Sequence, residues 1–90
     1  MRIKDGFVLE EVGGSYLAVA VGELAGSFNG MVRLNGTGAF LWKLLSEKNL
    51  TREELAGELV KAYADVAEGD VLDGVVAFEK KLREAGIIED

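Results

Sequence analysis

The spacing of apolar residues changes once along the chain, near Asn35, and this change restricts the possible folds more than any other sequence feature. Before Asn35 the apolar runs are short and rich in β-branched and aromatic residues, which is typical of strands. After Asn35 apolar residues recur about every 3.6 positions, which is typical of amphipathic helices. Because 90 residues leave room for one small domain, we predict a single α+β domain over residues 1–90.

Three antiparallel strands are predicted in the first third of the chain. Two of them, Phe7–Val12 and Tyr16–Val21, are separated by a short segment that contains Gly13-Gly14, which is typical of a tight hairpin. Asn29-Gly30 is a turn dipeptide, and a third short strand, Met31–Leu34, follows it. We therefore predict a three-stranded sheet followed by three helices.

The first two helices carry clear start signals. Asn35 or Thr37 is the predicted N-cap of the first helix. Thr51 is the predicted N-cap of the second, and Glu54 three residues later completes a capping box. The apolar residues expected to face inward are Phe40, Leu41, Leu44 and Leu45 in the first helix, and Leu55, Leu59 and Tyr63 in the second.

The third helix is predicted to begin at Asp70 and to end at Gly86. Gly74 weakens its first turn, because a glycine inside a helix costs about 0.5–1 kcal/mol relative to alanine. Asp73-Gly74 could therefore be a turn that delays the start of the helix. The predicted inner face consists of Val71, Val75, Phe78, Leu82 and Ala85.

The composition excludes most catalytic and metal chemistry. The chain has no His and no Cys, so it lacks the usual general base near neutral pH, a thiolate nucleophile and the common zinc ligands. Most catalysis is therefore excluded, and only an enzyme based on paired carboxylates stays open. We expect no catalytic residue, no metal site and no cofactor. The net charge of -6 disfavours nucleic acid and anionic membranes as partners. No apolar run approaches the roughly 20 residues of a membrane span, and we expect a cytoplasmic protein.

Three segments together resemble a known family. They are the run NGMVRLNGTGAFLWKLL from Asn29 to Leu45, the helix capped by Thr51, and the ending LREAGII from Leu82 to Ile88. The chain resembles the PqqD-like family, the peptide recognition elements of ribosomally made and post-translationally modified peptides. Gly36 stands where the family pattern usually has Glu, and the WVLL-PE type of second strand is missing. These departures indicate a relative that serves a peptide pathway other than that of pyrroloquinoline quinone.

The resemblance implies a small winged helix-turn-helix-like domain that binds the leader segment of a precursor peptide without catalysing a reaction. Such domains present the leader to a modifying enzyme, often a radical S-adenosylmethionine enzyme. The leader lies as an added strand along the third strand, in the cleft between that strand and the third helix. Carried over to this chain, the strand side of the site is Met31, Val32, Arg33 and Leu34.

The residues themselves favour the same surface. An edge strand offers unpaired backbone groups to a peptide of almost any sequence, and Met31–Leu34 contains no Pro and one charge, Arg33. On the third helix, four residues lie on a flank about a quarter-turn or more from the predicted inner face. These candidate peptide contacts are Leu72, Val76, Glu79 and Arg83. The simpler interpretations are an unavoidable edge strand and a wider core stripe.

Two other functions share this architecture. A winged-helix DNA-binding regulator would need a recognition helix rich in Lys and Arg, and the second helix has only Arg52 and Lys61 among several acids. A structural dimerisation module would pair the third strand with its copy across a two-fold axis. We expect a monomer or a weak homodimer. The strand face with Tyr16, Ala18 and Ala20 is a candidate surface for the enzyme partner.

Overall fold

The computed structural model describes residues 1–23, 32–63 and 68–90. Its helices and strands follow one another along the chain as β1 (Arg2–Ile3), β2 (Phe7–Val12), β3 (Ser15–Ala20), β4 (Val32–Leu34), α1 (Gly36–Glu47), α2 (Arg52–Ala62), α3 (Glu68–Glu84) and β5 (Ile88–Glu89). The α+β class, the three-stranded sheet and the three helices are therefore confirmed.

The predicted hairpin is formed by β2 and β3. Gly13 and Gly14 connect the two strands with φ values of 57° and 83°, the left-handed conformation that a two-residue type I′ turn requires at both positions. β4 pairs antiparallel with the other side of β3, so the order in the sheet is β2-β3-β4. The predicted turn Asn29-Gly30 and the residue Met31 lie outside the described residues.

A second sheet, which the sequence did not predict, joins the two ends of the chain. β1 and β5 pair antiparallel, with Ile3 opposite Ile88. The amide of Lys4 extends the contact by donating to the carbonyl of Ile87 over 2.7 Å. Strands of two residues are too short to show an alternating pattern, so this pairing depends on the tertiary fold.

The helix boundaries follow the capping chemistry. The Asn35 side chain accepts a hydrogen bond from the amide of Gly38 over 2.7 Å, which identifies Asn35 as the N-cap of α1. Both hydrogen bonds of the predicted capping box between Thr51 and Glu54 are present in α2. α3 begins at Glu68, two residues before the predicted start, and continues through Gly74 without a turn.

One core lies between the three helices and the inner face of the main sheet. Its fully buried side chains include Leu41, Leu45, Leu55, Val75, Leu82 and Ile87. Tyr63 was predicted to join them and does not, because α2 ends at Ala62 and Tyr63 is its C-cap with φ −126°. Tyr63 is 42% exposed and contacts the ring of Phe40 edge-on.

The inner face of β3 is the face with Tyr16, Ala18 and Ala20. Ala18 is completely buried and Tyr16 packs against the core, so the interpretation of this face as a partner surface is wrong. Leu17 and Val19 lie on the opposite face of the strand. In the part of the chain that the structure describes, no helix has both the length and the apolar character to cross a bilayer.

Candidate functional site

The hydrogen-bond register of the hairpin determines which backbone groups of β3 face β4. The amide of Val21 donates to the carbonyl of Gly6 over 2.8 Å, so Gly6 and Val21 form a hydrogen-bonded pair. In an antiparallel ladder, hydrogen-bonded and non-bonded pairs alternate. The backbone groups of Tyr16 and Ala18 therefore point away from β2 and towards β4.

The same alternation leaves one residue of β4 with its backbone turned outward. Leu34 lies opposite Tyr16 and Val32 opposite Ala18, and these are the bonded pairs. Arg33 lies opposite Leu17 in a non-bonded pair, so its N–H and C=O point to the open side of the sheet. Among residues 1–23, 32–63 and 68–90, no strand pairs with that side of β4.

Lys81 confirms the direction of the Arg33 carbonyl. Its Nζ atom, on α3, donates a hydrogen bond to that oxygen over 3.0 Å. α3 therefore runs beside the open edge of β4, and a lysine side chain bridges the space between them. Both side chains, Lys81 and Arg33, are exposed.

A cleft of about 750 Å³ lies next to this edge. Leu34, Asn35 and Thr37 line it where β4 leads into α1, and α3 contributes a row of residues that we name the cleft flank: Asp70, Gly74, Ala77 and Lys81. Part of its floor is apolar and consists of Leu41, Leu59, Val71 and Phe78. Gly74 and Ala77 are small, so the cleft stays open between α3 and the end of β4.

The four predicted contacts on α3 lie on the other side of the helix. They form a row along α3 that consists of Leu72, Val76, Glu79 and Arg83. Since each residue turns the helix by 100°, this row lies more than a quarter-turn around the helix axis from the cleft flank in either direction. We name this row the α2 flank, because Glu79 in it contacts Arg52 of α2. Leu72 and Val76 are 43% and 40% exposed. The structure therefore brings Arg33 and Leu34 of β4 together with the cleft flank and not with the α2 flank.

Glu79 and Arg83 are engaged in a cluster of ion pairs within the chain. One carboxylate oxygen of Glu79 accepts from Arg52 Nε over 2.9 Å and the other from Arg83 Nε over 2.7 Å. Arg83 also donates two hydrogen bonds to Asp90, of 2.9 and 2.8 Å. The hydrogen bonds from Arg52 and then Arg83 hold the pKa of Glu79 below its usual value. These contacts link the start of α2, the end of α3 and the end of the chain.

Lys81, Gly74 and Ala77 were absent from the predicted site. A sequence signal for them did exist, since Asp70, Gly74, Ala77 and Lys81 recur at spacings of four, three and four residues, the spacing of one helix face. Gly74 was interpreted only as a weak point of the helix. An added Cβ at Gly74 would meet no atom within 4 Å, so this glycine borders open space.

The described residues contain no group of three or more His, Cys, Asp or Glu side chains that could hold a metal ion. The polar groups at the edge of β4 are backbone groups, one guanidinium and one ammonium. Such groups bind a ligand through hydrogen bonds and charge.

The sequence matches a family model over most of its length. The model describes coenzyme PQQ synthesis protein D (PqqD), and it matches residues 7–88. In a search among curated proteins, no sequence matched the chain.

The fold is also similar to a solved structure, that of TbiB1 in complex with the TbiA(beta) leader peptide. The TM-score is 0.74 at 20% sequence identity, and the alignment covers 99% of this chain and 95% of that chain. This likeness shows a shared fold, and the family match extends over both the β4 edge and the cleft flank. The resemblance noted in the sequence is confirmed, and the chain belongs to the PqqD family.

Proposed function

We propose that this protein binds the leader segment of a ribosomally made precursor peptide and presents it to a modifying enzyme. The leader adds to the open edge of β4 as a further antiparallel strand, beside the cleft flank of α3. The observation that carries this proposal is the outward-facing backbone of Arg33 next to an open cleft.

Strand addition satisfies the backbone groups that the sheet leaves open. A guest strand offers its own C=O and N–H to the N–H and C=O of Arg33, which is the way extended peptides join exposed sheet edges. Its side chains then alternate between two faces. One set points towards the cleft, where Gly74 and Ala77 leave room, and the other set points to the outer face of the sheet.

The comparisons support a peptide as the ligand. TbiB1, whose fold is similar, was solved with a leader peptide bound, and members of the PqqD-like family recognise precursor peptides. The chain itself lacks His and Cys, so the modification is the task of a partner enzyme, a radical S-adenosylmethionine enzyme or another peptide-modifying enzyme. We place this pathway in the cytoplasm and the chain in the role of a noncatalytic, winged helix-turn-helix-like adaptor without a cofactor.

Contact between the α2 flank and the peptide is the prediction from the sequence, and it competes with the contact at the cleft flank that we propose. Leu72 and Val76 are exposed and apolar, but a strand that continues along β4 reaches the opposite side of α3. A peptide would contact both the β4 edge and the α2 flank only if it left the edge and crossed over α3. Glu79 already uses both carboxylate oxygens within the chain.

The two alternative functions fit the structure less well. If β4 paired with its copy across a two-fold axis centred on Arg33, the two Arg33 side chains would face each other, and like charges in that position destabilise a sheet. For DNA binding, both cations of α2 are already in ion pairs, Arg52 with Glu79 and Lys61 with Glu58.

The Arg33→Pro variant tests strand addition. Proline removes the outward N–H of Arg33, while the hydrogen bonds to β3 come from Val32 and Leu34. The probe is a peptide of about 12 residues, selected by the wild-type chain from a random display library and measured by fluorescence anisotropy; 12 extended residues span about 40 Å.

We expect Arg33→Pro to weaken binding of this peptide by about fivefold or more, the effect of one lost hydrogen bond. The matched control is Arg33→Ala, which keeps the backbone donor. Circular dichroism shows whether each variant is folded. Equal affinities of folded Arg33→Pro and Arg33→Ala would mean that the peptide does not add to this edge.

A further inference from the structure

Two cations flank the open edge of β4 in a chain whose net charge is -6. The side chain of Arg33 lies on the outer face of the sheet, opposite Leu17, and Lys81 reaches the same edge from α3. Within the described residues neither side chain forms an ion pair. By contrast, Arg52 and Arg83 on the far side of α3 are both paired with acids.

We propose, as a deepening of the proposed function on which it rests, that the β4 edge selects an acidic peptide. The guest residue opposite Arg33 carries a carboxylate that pairs with the guanidinium on the outer face. A residue next to it in the guest carries a second carboxylate, directed inward to Lys81.

The register determines the position of the first carboxylate. Because the backbone groups of Arg33 point outward, the guest residue opposite Arg33 forms a hydrogen-bonded pair with it. The side chains of such a pair lie on the same face of the sheet, close enough for an ion pair. The row across the sheet then consists of Glu10, Leu17, Arg33 and the guest carboxylate.

Glu10 does not form an ion pair with the side chain of Arg33. Leu17 of β3 separates the two residues, and two strand spacings amount to about 9–10 Å. An acid on the guest strand is one spacing away, at about 5 Å. The guanidinium of Arg33 is therefore better placed for a charge on the guest than for the acid on β2.

Lys81 supplies the second contact. Its ammonium has three donors, and one of them is used on the Arg33 carbonyl. A guest strand brings its own N–H to that carbonyl, so Lys81 can turn to an acidic side chain directed into the cleft. Glu84 lies three residues further along α3, but no ion pair joins it to Lys81 within the described residues. Asp70, at the other end of the cleft flank, is eleven positions away, about 16 Å along the helix.

Charge-reversed variants test the proposal with the same random display library of about 12-residue peptides. The wild-type chain should enrich peptides with Asp or Glu, and the double variant Arg33→Glu with Lys81→Glu should enrich peptides with Lys or Arg. The matched control is Lys43→Glu with Lys80→Glu, which makes the same change in net charge at two exposed lysines outside the cleft lining. This control should keep the preference for acids.

Affinity measurements then identify which acidic residue of the peptide pairs with Arg33. In one enriched peptide, each acidic residue is changed in turn to Lys. We expect each such change at a contacting position to weaken binding to the wild-type chain by about two- to fivefold. Arg33→Glu should restore the affinity for one of these peptides, and that position is the one opposite Arg33.

Two results would overturn the proposal: a double variant that keeps the preference for acids, or a wild-type chain that enriches peptides without charge preference. Both results concern only the charge of the bound peptide and do not test whether a peptide binds. The proposed function fails in a different way, namely if the wild-type chain enriches no peptide or if folded Arg33→Pro binds as tightly as Arg33→Ala.

Discussion

Lys81 on α3 and Arg33 on β4 are joined by a hydrogen bond of 3.0 Å between the lysine ammonium and the arginine backbone carbonyl. The contact connects the helix that lines the cleft to the strand that offers the edge. It also places a charge where a second sheet would otherwise approach, and charged side chains on edges are a common protection against aggregation. In the proposed function, the same two residues serve both the free and the peptide-bound state.

Removal of both charges should expose the edge to self-association. We expect Arg33→Leu with Lys81→Leu to form dimers or larger species at lower concentrations than the wild-type chain does, because the repulsion between edges is lost. Multi-angle light scattering measures this directly. Lys43→Leu with Lys80→Leu adds the same apolar surface elsewhere, and equal association of this control would rule out a specific role of the edge.

Two different substitutions at Gly74 should affect stability and peptide binding separately. Gly74→Ala is expected to raise the free energy of unfolding by about 0.5–1 kcal/mol, since alanine is the better helix former and an added Cβ meets no atom within 4 Å. Gly74→Phe should instead fill the cleft and weaken peptide binding by about tenfold, with the protein still folded.

Gly57, an exposed glycine inside α2 and outside the cleft lining, provides the matched controls. Gly57→Ala should stabilise the chain to a similar degree, and Gly57→Phe should leave binding unchanged. Urea unfolding and fluorescence anisotropy give the two quantities. Unchanged binding by Gly74→Phe would show that the peptide does not enter the cleft.

Substitutions at two neighbouring residues of α3 test which flank of the helix contacts the peptide. Ala77 lies on the cleft flank and Val76, 40% exposed, on the α2 flank. We expect Ala77→Asp to weaken peptide binding by about tenfold and Val76→Asp to change it by less than about twofold, since an energetic effect requires contact. If Val76→Asp alone weakens binding, the peptide crosses α3 and the flank predicted from the sequence is the relevant one.

The elements with local signals could be predicted from the sequence. Gly13-Gly14 predicted the hairpin, and the spacing of Thr51 and Glu54 predicted the capping box of α2, because a few neighbouring residues determine each structure. The pairing of β1 with β5 could not be predicted, because it joins residues 2–3 to residues 88–89 and two residues show no period.

The edge strand of the candidate site was predicted from the sequence, whereas the residues of α3 that line the cleft beside it were not. Arg33 lies on an edge strand, as predicted. The periodicity of α3 predicted a flank with Leu72 and Val76 but could not say which flank of the helix lies beside β4, because that depends on how α3 packs against α2. The contact between Arg52 of α2 and Glu79 of α3 is part of that packing, and it joins residues 27 positions apart in the sequence.

Glu79 should make stability depend on pH in the acidic range. Its pKa is lowered in the folded state by hydrogen bonds from Arg52 and Arg83, so its contribution is complete above the unfolded pKa and is lost as the pH falls through the folded value. Glu79→Gln should therefore lower the free energy of unfolding by about 1–3 kcal/mol at pH 7. The difference should shrink below about pH 4.5, the usual value for the group.

Urea unfolding at several pH values measures this difference, with Glu11→Gln, at an exposed residue, as the control. Glu11→Gln should follow the wild-type curve. A Glu79→Gln effect that is equally large at pH 7 and well below pH 4 would contradict the assignment of the pKa to this ion-pair cluster.

Hydrogen exchange at the Arg33 amide, measured by NMR with and without the selected peptide, tests strand addition most directly. We expect fast exchange at Arg33 in the free protein and slow exchange at Leu34, which is bonded to β3. Saturating peptide should slow exchange at Arg33 by about tenfold or more and leave Leu34 unchanged. An Arg33 amide that exchanges at the same rate in the saturated complex would contradict the central claim.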